Sequence, residues 1–203
     1  MQAKGKVLRT TSELRLQRLA ESAARKSSDP ARHKCFVSYH VDDEDEVAAF
    51  IEEFGTAFIP TVIGVTEDDD FVDSDDTEYI MDRIREKYLS DSTVTIVLVG
   101  RCTWARRFVD WEIYASLRPY KDWGISGLMG ITLPSVANDP QRQLPPRLAD
   151  NVNDDKGYAR WWKYPSSSAS LRGLIQEAFD ARTSKDHLID NSRARKKYSS
   201  QCS

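Results

Sequence analysis

Glu112 is the residue in this chain best placed by its neighbours to do chemistry. It follows the run Thr93–Val99, almost uninterrupted β-branched and apolar residue, and the polar loop Gly100-Arg-Cys-Thr-Trp104. Such a run reads as a strand buried on both faces of a parallel sheet, and open parallel sheets bind ligands beyond the carboxyl ends of their strands. Gly100–Trp104 then lies at that edge, with Glu112 one or two helical turns further on. The first apolar run, Lys34-Cys-Phe-Val-Ser-Tyr39, ends at the same kind of edge and brings Ser38, Tyr39 and His40 to it. A single carboxylate in a site that excludes water can stabilise positive charge as it develops on a reacting carbon. Tyr39, Phe71, Trp104 and Phe108 would supply flat apolar walls at small entropic cost.

Each of these residues also has a plainer reading. A lone glutamate on a helix is usually a solvated surface group. Trp104 and Trp111 suit core packing as well as ligand contact, and His40 suits an ordinary loop histidine as well as a functional one. Asp68–Asp70 fits a solvated acidic turn better than a cation site, because its spacing matches no known binding loop. Cys102 reads as inert, since no histidine lies close in sequence to activate it.

The elements that must position these groups follow from periodicity. Asp42-Asp-Glu-Asp45 opens a helix at the end where carboxylates favour the dipole, and Val47, Phe50, Ile51 and Phe54 give it one apolar stripe. Phe58–Val65 reads as a second strand, with Pro60 near its start or on an edge. After the acidic loop Thr66–Ser74, Asp75 with Glu78 resembles a capping box for a helix marked by Ile80, Ile84 and Tyr88. Gly127–Leu133 supplies a fourth strand, a Pro-rich connection spans Pro134–Pro146, and Tyr158–Tyr164 supplies the last strand. Leu171, Leu174, Ile175, Ala178 and Phe179 mark a closing helix. Strands and helices alternating at this interval predict an α/β fold with a mostly parallel sheet of about five strands and helices on both faces.

Composition sets the outer limits. The 203 residues are 40% hydrophobic with a formal charge of −3, enough for one core. The domain reading is an N-terminal extension at 1–33 with a weakly amphipathic helix (Leu14, Leu16, Leu19, Ala23), one domain at 34–180, and a polar tail at 181–203. Cys35, Cys102 and Cys202 are odd in number and far apart, so they form neither a disulfide framework nor a metal motif, and a reducing cytoplasm is the expected compartment. No apolar run reaches membrane-spanning length, and the first residues lack the apolar core of a secretory signal. The near-neutral charge argues against a nucleic-acid binder, and the absence of GxGxxG and Walker A loops argues against the phosphate-cradling folds of the same class.

Cys35-Phe-Val-Ser-Tyr39 resembles the first strand of the TIR domain family, and Phe108-Val-Asp-Trp-Glu-Ile113 resembles its catalytic helix. More narrowly, Ser38-Tyr-His40, Asp73-Ser-Asp-Asp-Thr-Glu-Tyr-Ile80, Thr95-Ile-Val-Leu-Val-Gly100 and Trp111-Glu-Ile113, in that order, are similar to the bacterial TIR-like group that includes the Thoeris anti-phage TIR proteins. The resemblance covers residues 34–180 and implies a flavodoxin-like three-layer fold. It also implies cleavage of NAD at the bond between nicotinamide and ribose, with NAD as substrate and no bound cofactor or metal. Glu112 takes the catalytic place, four residues after an aromatic that is usually tryptophan in the family and is Phe108 here. Ser38, Tyr39, His40, Phe71, Trp104 and Phe108 are the expected substrate contacts. The resemblance further implies self-association through TIR surfaces and a cyclic or modified ADP-ribose messenger that reaches a separate effector. Three rivals stay open: a non-enzymatic TIR interaction module, a phosphoacceptor receiver, and a nucleoside deoxyribosyltransferase-like enzyme. The receiver would need an aspartate where strand three ends in Val99-Gly100.

Overall fold

Val94–Val99 and Gly127–Thr132 are buried along their whole length, and only a sheet covered on both faces accommodates two adjacent strands of that kind. The computed structural model describes residues 11–25, 32–62, 64–66, 68–121, 124–153 and 156–202. In chain order it contains α1 (Thr11–Arg25), β1 (Lys34–Ser38), α2 (Glu44–Phe54), β2 (Ile59–Thr61), α3 (Thr77–Ile84), β3 (Val94–Val99), α4 (Arg107–Ser116), β4 (Gly127–Thr132), α5 (Pro146–Asn151), β5 (Arg160–Trp162) and α6 (Ser168–Ser184). The five strands are all parallel, in the order β2-β1-β3-β4-β5. That is the flavodoxin-like order, whose switch point lies between β1 and β3.

Two apolar layers enclose the sheet. On one face Phe50, Phe54 and Ile51 of α2 and Leu171 and Ile175 of α6 pack with Val37, Ile96 and Met129. The other face holds two clusters. One joins Phe36 to Phe71, Ile80, Met81 and Trp111, and the other joins Val97 and Val99 to Val109, Ile113 and Leu148. The helix in the N-terminal extension belongs to the first layer: Leu16, Ala20 and Ala23 are buried there while Leu14 stays exposed. Burying Leu16 alone contributes roughly 2 kcal/mol.

Several local details depart from the sequence reading. The second strand is only three residues long, and Pro60 sits in its middle. It is tolerated because β2 is an edge strand paired on one side, with Pro60 opposite Cys35. Asp76, not Asp75, caps α3, accepting from the Tyr79 amide at 3.1 Å, and a π-helical turn over Arg85–Leu89 continues that helix. A helix, α5, begins at the end of the Pro-rich connection, its first residue being Pro146. Ile63 of the expected second strand, Glu67 of the acidic loop, residues 1–10 and 26–31 of the extension, and Ser203 lie outside the described residues.

The cysteines require a correction. Cys102 and Cys202 are joined in a disulfide, with their α-carbons 5.7 Å apart, and only Cys35 is free. A separation of 100 residues in sequence hides the pairing, which arises because the chain after α6 returns to the start of α4. That returning segment is polar, as expected of a tail, yet it lies against the domain. The Asn151 side-chain amide donates to the Asp190 carbonyl at 2.7 Å and the Lys196 amide to Asp110 Oδ2 at 2.8 Å. Asp110 is itself buried against Arg147, whose Nε donates to Asp110 Oδ1 at 2.9 Å. Among the described residues no helix is long and apolar enough to cross a membrane.

Candidate active site

The switch point between β1 and β3 opens into a cleft of about 760 Å³. Tyr39, His40, Phe108 and Glu112 line it together with Val65, Thr66, Asp69 and Arg106. β1 delivers Ser38, Tyr39 and His40 because its last residues run past the sheet edge. α4 delivers Glu112 because Val109 and Ile113 face the core, which turns the intervening Glu112 toward β1.

Glu112 is only 4% exposed. Ser38 Oγ donates to its Oε2 at 2.6 Å, and the Val65 amide donates to its Oε1 at 3.0 Å. Burial raises its pKa to about 7, against the lowering effect of those two hydrogen bonds. A β-carbon on Gly64 would stand 2.2 Å from Glu112 Oε1, so this segment lies against the carboxyl group only because residue 64 has no side chain. Gly100 plays a matching part at the end of β3, where a β-carbon would meet the Asp43 carboxylate at 2.2 Å. Asp43 there accepts from the Thr103 hydroxyl at 3.3 Å, and burial lifts its pKa to about 6.

Tyr39 is partly buried in the cleft wall. His40 Nε2 pairs with Asp42 Oδ2 at 3.1 Å, and burial first, then the charge of Arg106, lowers its pKa. Phe108 meets Trp111 edge to face with ring centres 5.4 Å apart. Two expected substrate contacts are placed elsewhere. Phe71 is fully buried among Phe36, Ile80, Met81 and Trp111 and does not line the cleft, because the acidic loop turns its apolar residues inward. Trp104 lies outside the cleft lining, its carbonyl accepting from Lys196 Nζ at 3.0 Å.

The acidic loop is also not a uniformly solvated turn. Asp68 and Asp70 are exposed, but Asp69 is buried; it accepts from the Tyr88 hydroxyl at 2.6 Å and from the Thr66 amide at 2.8 Å, and it pairs with Lys87. Periodicity gave no sign of this, since the side-chain partners Lys87 and Tyr88 come from the π-helical turn after α3. Arg106, Glu13 of α1 and Ser199 of the C-terminal segment are further cleft residues that the sequence reading did not single out. Arg106 had a usable signal, as a base two residues beyond the loop assigned to the sheet edge; Glu13 and Ser199 had none. Among the described residues no group of three or more His, Cys, Asp or Glu is placed to hold a metal ion.

The arrangement is thus a buried, proton-sensitive carboxyl group at the head of a cleft with aromatic walls, an acidic rim and one arginine. A search of curated proteins finds no match to the chain. A family model described as Thoeris protein ThsB, TIR-like domain, matches residues 36–138, half of the chain.

Proposed function

The chain belongs to the Thoeris ThsB TIR-like family, and from that premise we propose that it cleaves NAD between nicotinamide and ribose and releases a cyclic or modified ADP-ribose signal in anti-phage defence. One observation carries the reading: Glu112 is a buried carboxyl group at the head of a cleft large enough for a dinucleotide. The unit we assign to this activity is residues 34–180, with the flanking segments contributing Glu13 and Ser199 to its cleft.

Nicotinamide in NAD is already cationic and leaves as a neutral ring, so the cleavage dispenses with the protonating acid that an ordinary glycoside requires. A single carboxylate suffices. Glu112 hydrogen-bonds the ribose hydroxyls and stabilises the oxocarbenium-like charge that grows as the bond lengthens. Phe108 and Tyr39 offer flat surfaces to the departing ring. Because both carboxyl oxygens are engaged by Ser38 and the Val65 amide, the ribose gains access when residues 64–66 withdraw. Displacement of that segment, through contact with another copy or on binding, would set the enzyme working, and the product would carry the signal to a separate effector.

The same closed geometry is what favours the second reading, a TIR module that only associates. In that case Glu112 would be a satisfied core residue that never meets a ligand. Mass spectrometry of small molecules after purified protein meets NAD, with and without phage-infected lysate, separates the two. Nicotinamide together with an ADP-ribose isomer supports the enzyme. Intact NAD under both conditions leaves the interaction module.

A further inference from the structure

The cleft that holds Glu112 is also lined by a cation, Arg106, with no carboxylate paired to it among the described residues. Among the described residues, the Arg106 guanidinium donates to two carbonyl oxygens, those of Cys102 at 3.2 Å and Ser200 at 3.5 Å, and to no carboxylate. Lys87, another base on the cleft wall, is by contrast paired with Asp69. An arginine held by neutral acceptors keeps its charge-assisted bonding for an anion brought by a ligand.

What aims Arg106 is the C-terminal segment 196–202. Trp111 Nε1 donates to the Lys196 carbonyl at 2.7 Å, Ser199 Oγ accepts from the Arg107 amide at 3.2 Å, and the Ser200 amide donates to the Ala105 carbonyl at 2.8 Å. These bonds fall on the residues flanking Arg106 and on the first turns of α4. The disulfide then ties Cys202 to Cys102, the residue whose carbonyl holds Arg106 Nε. The segment forms a wall of the cleft through Ser199 and does not cover Glu112, which lies under Val65.

We propose that Arg106 anchors the diphosphate of a nucleotide bound in this cleft, and that the Cys102–Cys202 disulfide is a redox latch fixing the C-terminal segment, and through it Arg106, in the binding position. The inference rests on the nucleotide reading of the cleft given above. Opening the latch takes a dithiol. One of its thiolates attacks a sulfur of the pair to give a mixed disulfide, and its second thiolate displaces the remaining cysteine. Two electrons pass from the dithiol to Cys102 and Cys202, its two protons end on the freed thiols, and the reductant leaves as a cyclic disulfide. Closing is the reverse exchange with the oxidised dithiol. Both cysteines are partly exposed and open to such attack. In a reducing compartment the latch stands open and closes under oxidation, so oxidation raises affinity for the diphosphate.

Two measurements on the full chain test this. After treatment with an oxidised dithiol, denaturation and alkylation should tag one cysteine, Cys35, and after reduction all three; three tags in the oxidised sample would remove the latch. Calorimetry with ADP and with adenosine then reads the anchor. ADP should bind about tenfold more weakly to reduced protein and to Cys202→Ser, a loss the size of one charged hydrogen bond, while adenosine binding stays unchanged. Arg106→Gln should lose the same factor and become indifferent to reduction, and Arg106→Lys should recover part of it. Equal ADP affinity in the two redox states, an equal loss for adenosine, or no ADP binding in either state would each overturn the proposal. Because ADP is not turned over, absence of NAD cleavage would leave a redox-dependent ADP affinity standing. NAD cleavage with ADP binding blind to reduction would overturn this proposal and leave the catalytic reading standing.

Discussion

The two rims of the cleft solve opposite electrostatic problems. On the acidic rim every buried carboxylate is answered from within the chain: Asp69 by Tyr88, Thr66 and Lys87, and Glu112 by Ser38 and the Val65 amide. On the basic rim Arg106 is steered by carbonyl oxygens but left without a carboxylate among the described residues. Buried acids must be satisfied or protonated for the fold to stand. A partly buried arginine retains part of its hydration, so it can wait for a ligand at modest cost. In the proposed reaction the acidic rim would meet a charge that develops on the substrate, and Arg106 one that arrives with it.

Removing the charge from the acidic rim should have the largest effect. Glu112→Gln is expected to lower NAD cleavage about 10³-fold, the range seen when one transition-state electrostatic contact is lost, with the fold intact by circular dichroism. The same variant tests the price of burial. Glu112 titrates at about 7 in the fold, against 4.5 for the unperturbed group. Between those values the folded state holds the extra proton and stability falls as pH rises. Above 7 the full penalty, about 3 kcal/mol, is in place. Thermal melts should show Glu112→Gln more stable than the parent at pH 8, with the advantage fading as pH drops through 7 toward 4.5. Turnover unchanged by the substitution would return Glu112 to the role of a core residue.

Phe71→Ala should separate packing from chemistry in the acidic loop. The ring is fully buried, so its loss is expected to cost about 3 kcal/mol in denaturant unfolding while the Michaelis constant of the folded fraction holds. A raised Michaelis constant at unchanged stability would put Phe71 back at the substrate.

Gly64→Ala probes the close approach that shields Glu112. The added methyl group displaces either the carboxyl group or the covering segment, and misplacing a catalytic group by about an ångström commonly costs on the order of 10²-fold in rate. Single-turnover measurement should find that loss with only a small change in melting temperature. Unaltered turnover would mean that the methyl group displaces only the covering segment and leaves the Glu112 carboxyl group in place.

The smallest effect belongs to Ser38→Ala. Its hydroxyl lowers the Glu112 pKa, so kcat/KM, which needs the carboxylate, should rise with pH through about 7 in the parent and through about 8 in the variant. Activity at pH 7 should then fall roughly fivefold and recover in alkaline buffer. An identical pH profile would show that the Ser38 hydrogen bond does not control the titration.

Much of this molecule is legible in its sequence. Apolar runs such as Val94–Val99 announce fully buried strands, and the stripe Val47, Phe50, Ile51, Phe54 announces the helix that covers them. Alternation of the two implies the parallel sheet, and the rule that ligands gather at strand ends points to Ser38 and to the loop before Glu112. The inferences about the elements and the sheet succeed because periodicity along the chain records which face of an element is buried. It does not record what lies opposite that face. The acidic loop reads as a solvated turn with Phe71 at the substrate, yet Phe71 and Asp69 turn inward to Trp111 and Tyr88. Cys102 finds Cys202 across 100 residues, and the polar segment that carries Cys202 shapes the wall beside Arg106. The sequence by itself determined the elements, their alternation and the strand-end position of the carboxylate, because local patterns of apolar and polar residues suffice for these. Only the tertiary structure decided which loop covers Glu112, which of the aromatics face the cleft and what holds Arg106. Those depend on contacts between residues far apart in the chain, and no local pattern encodes them.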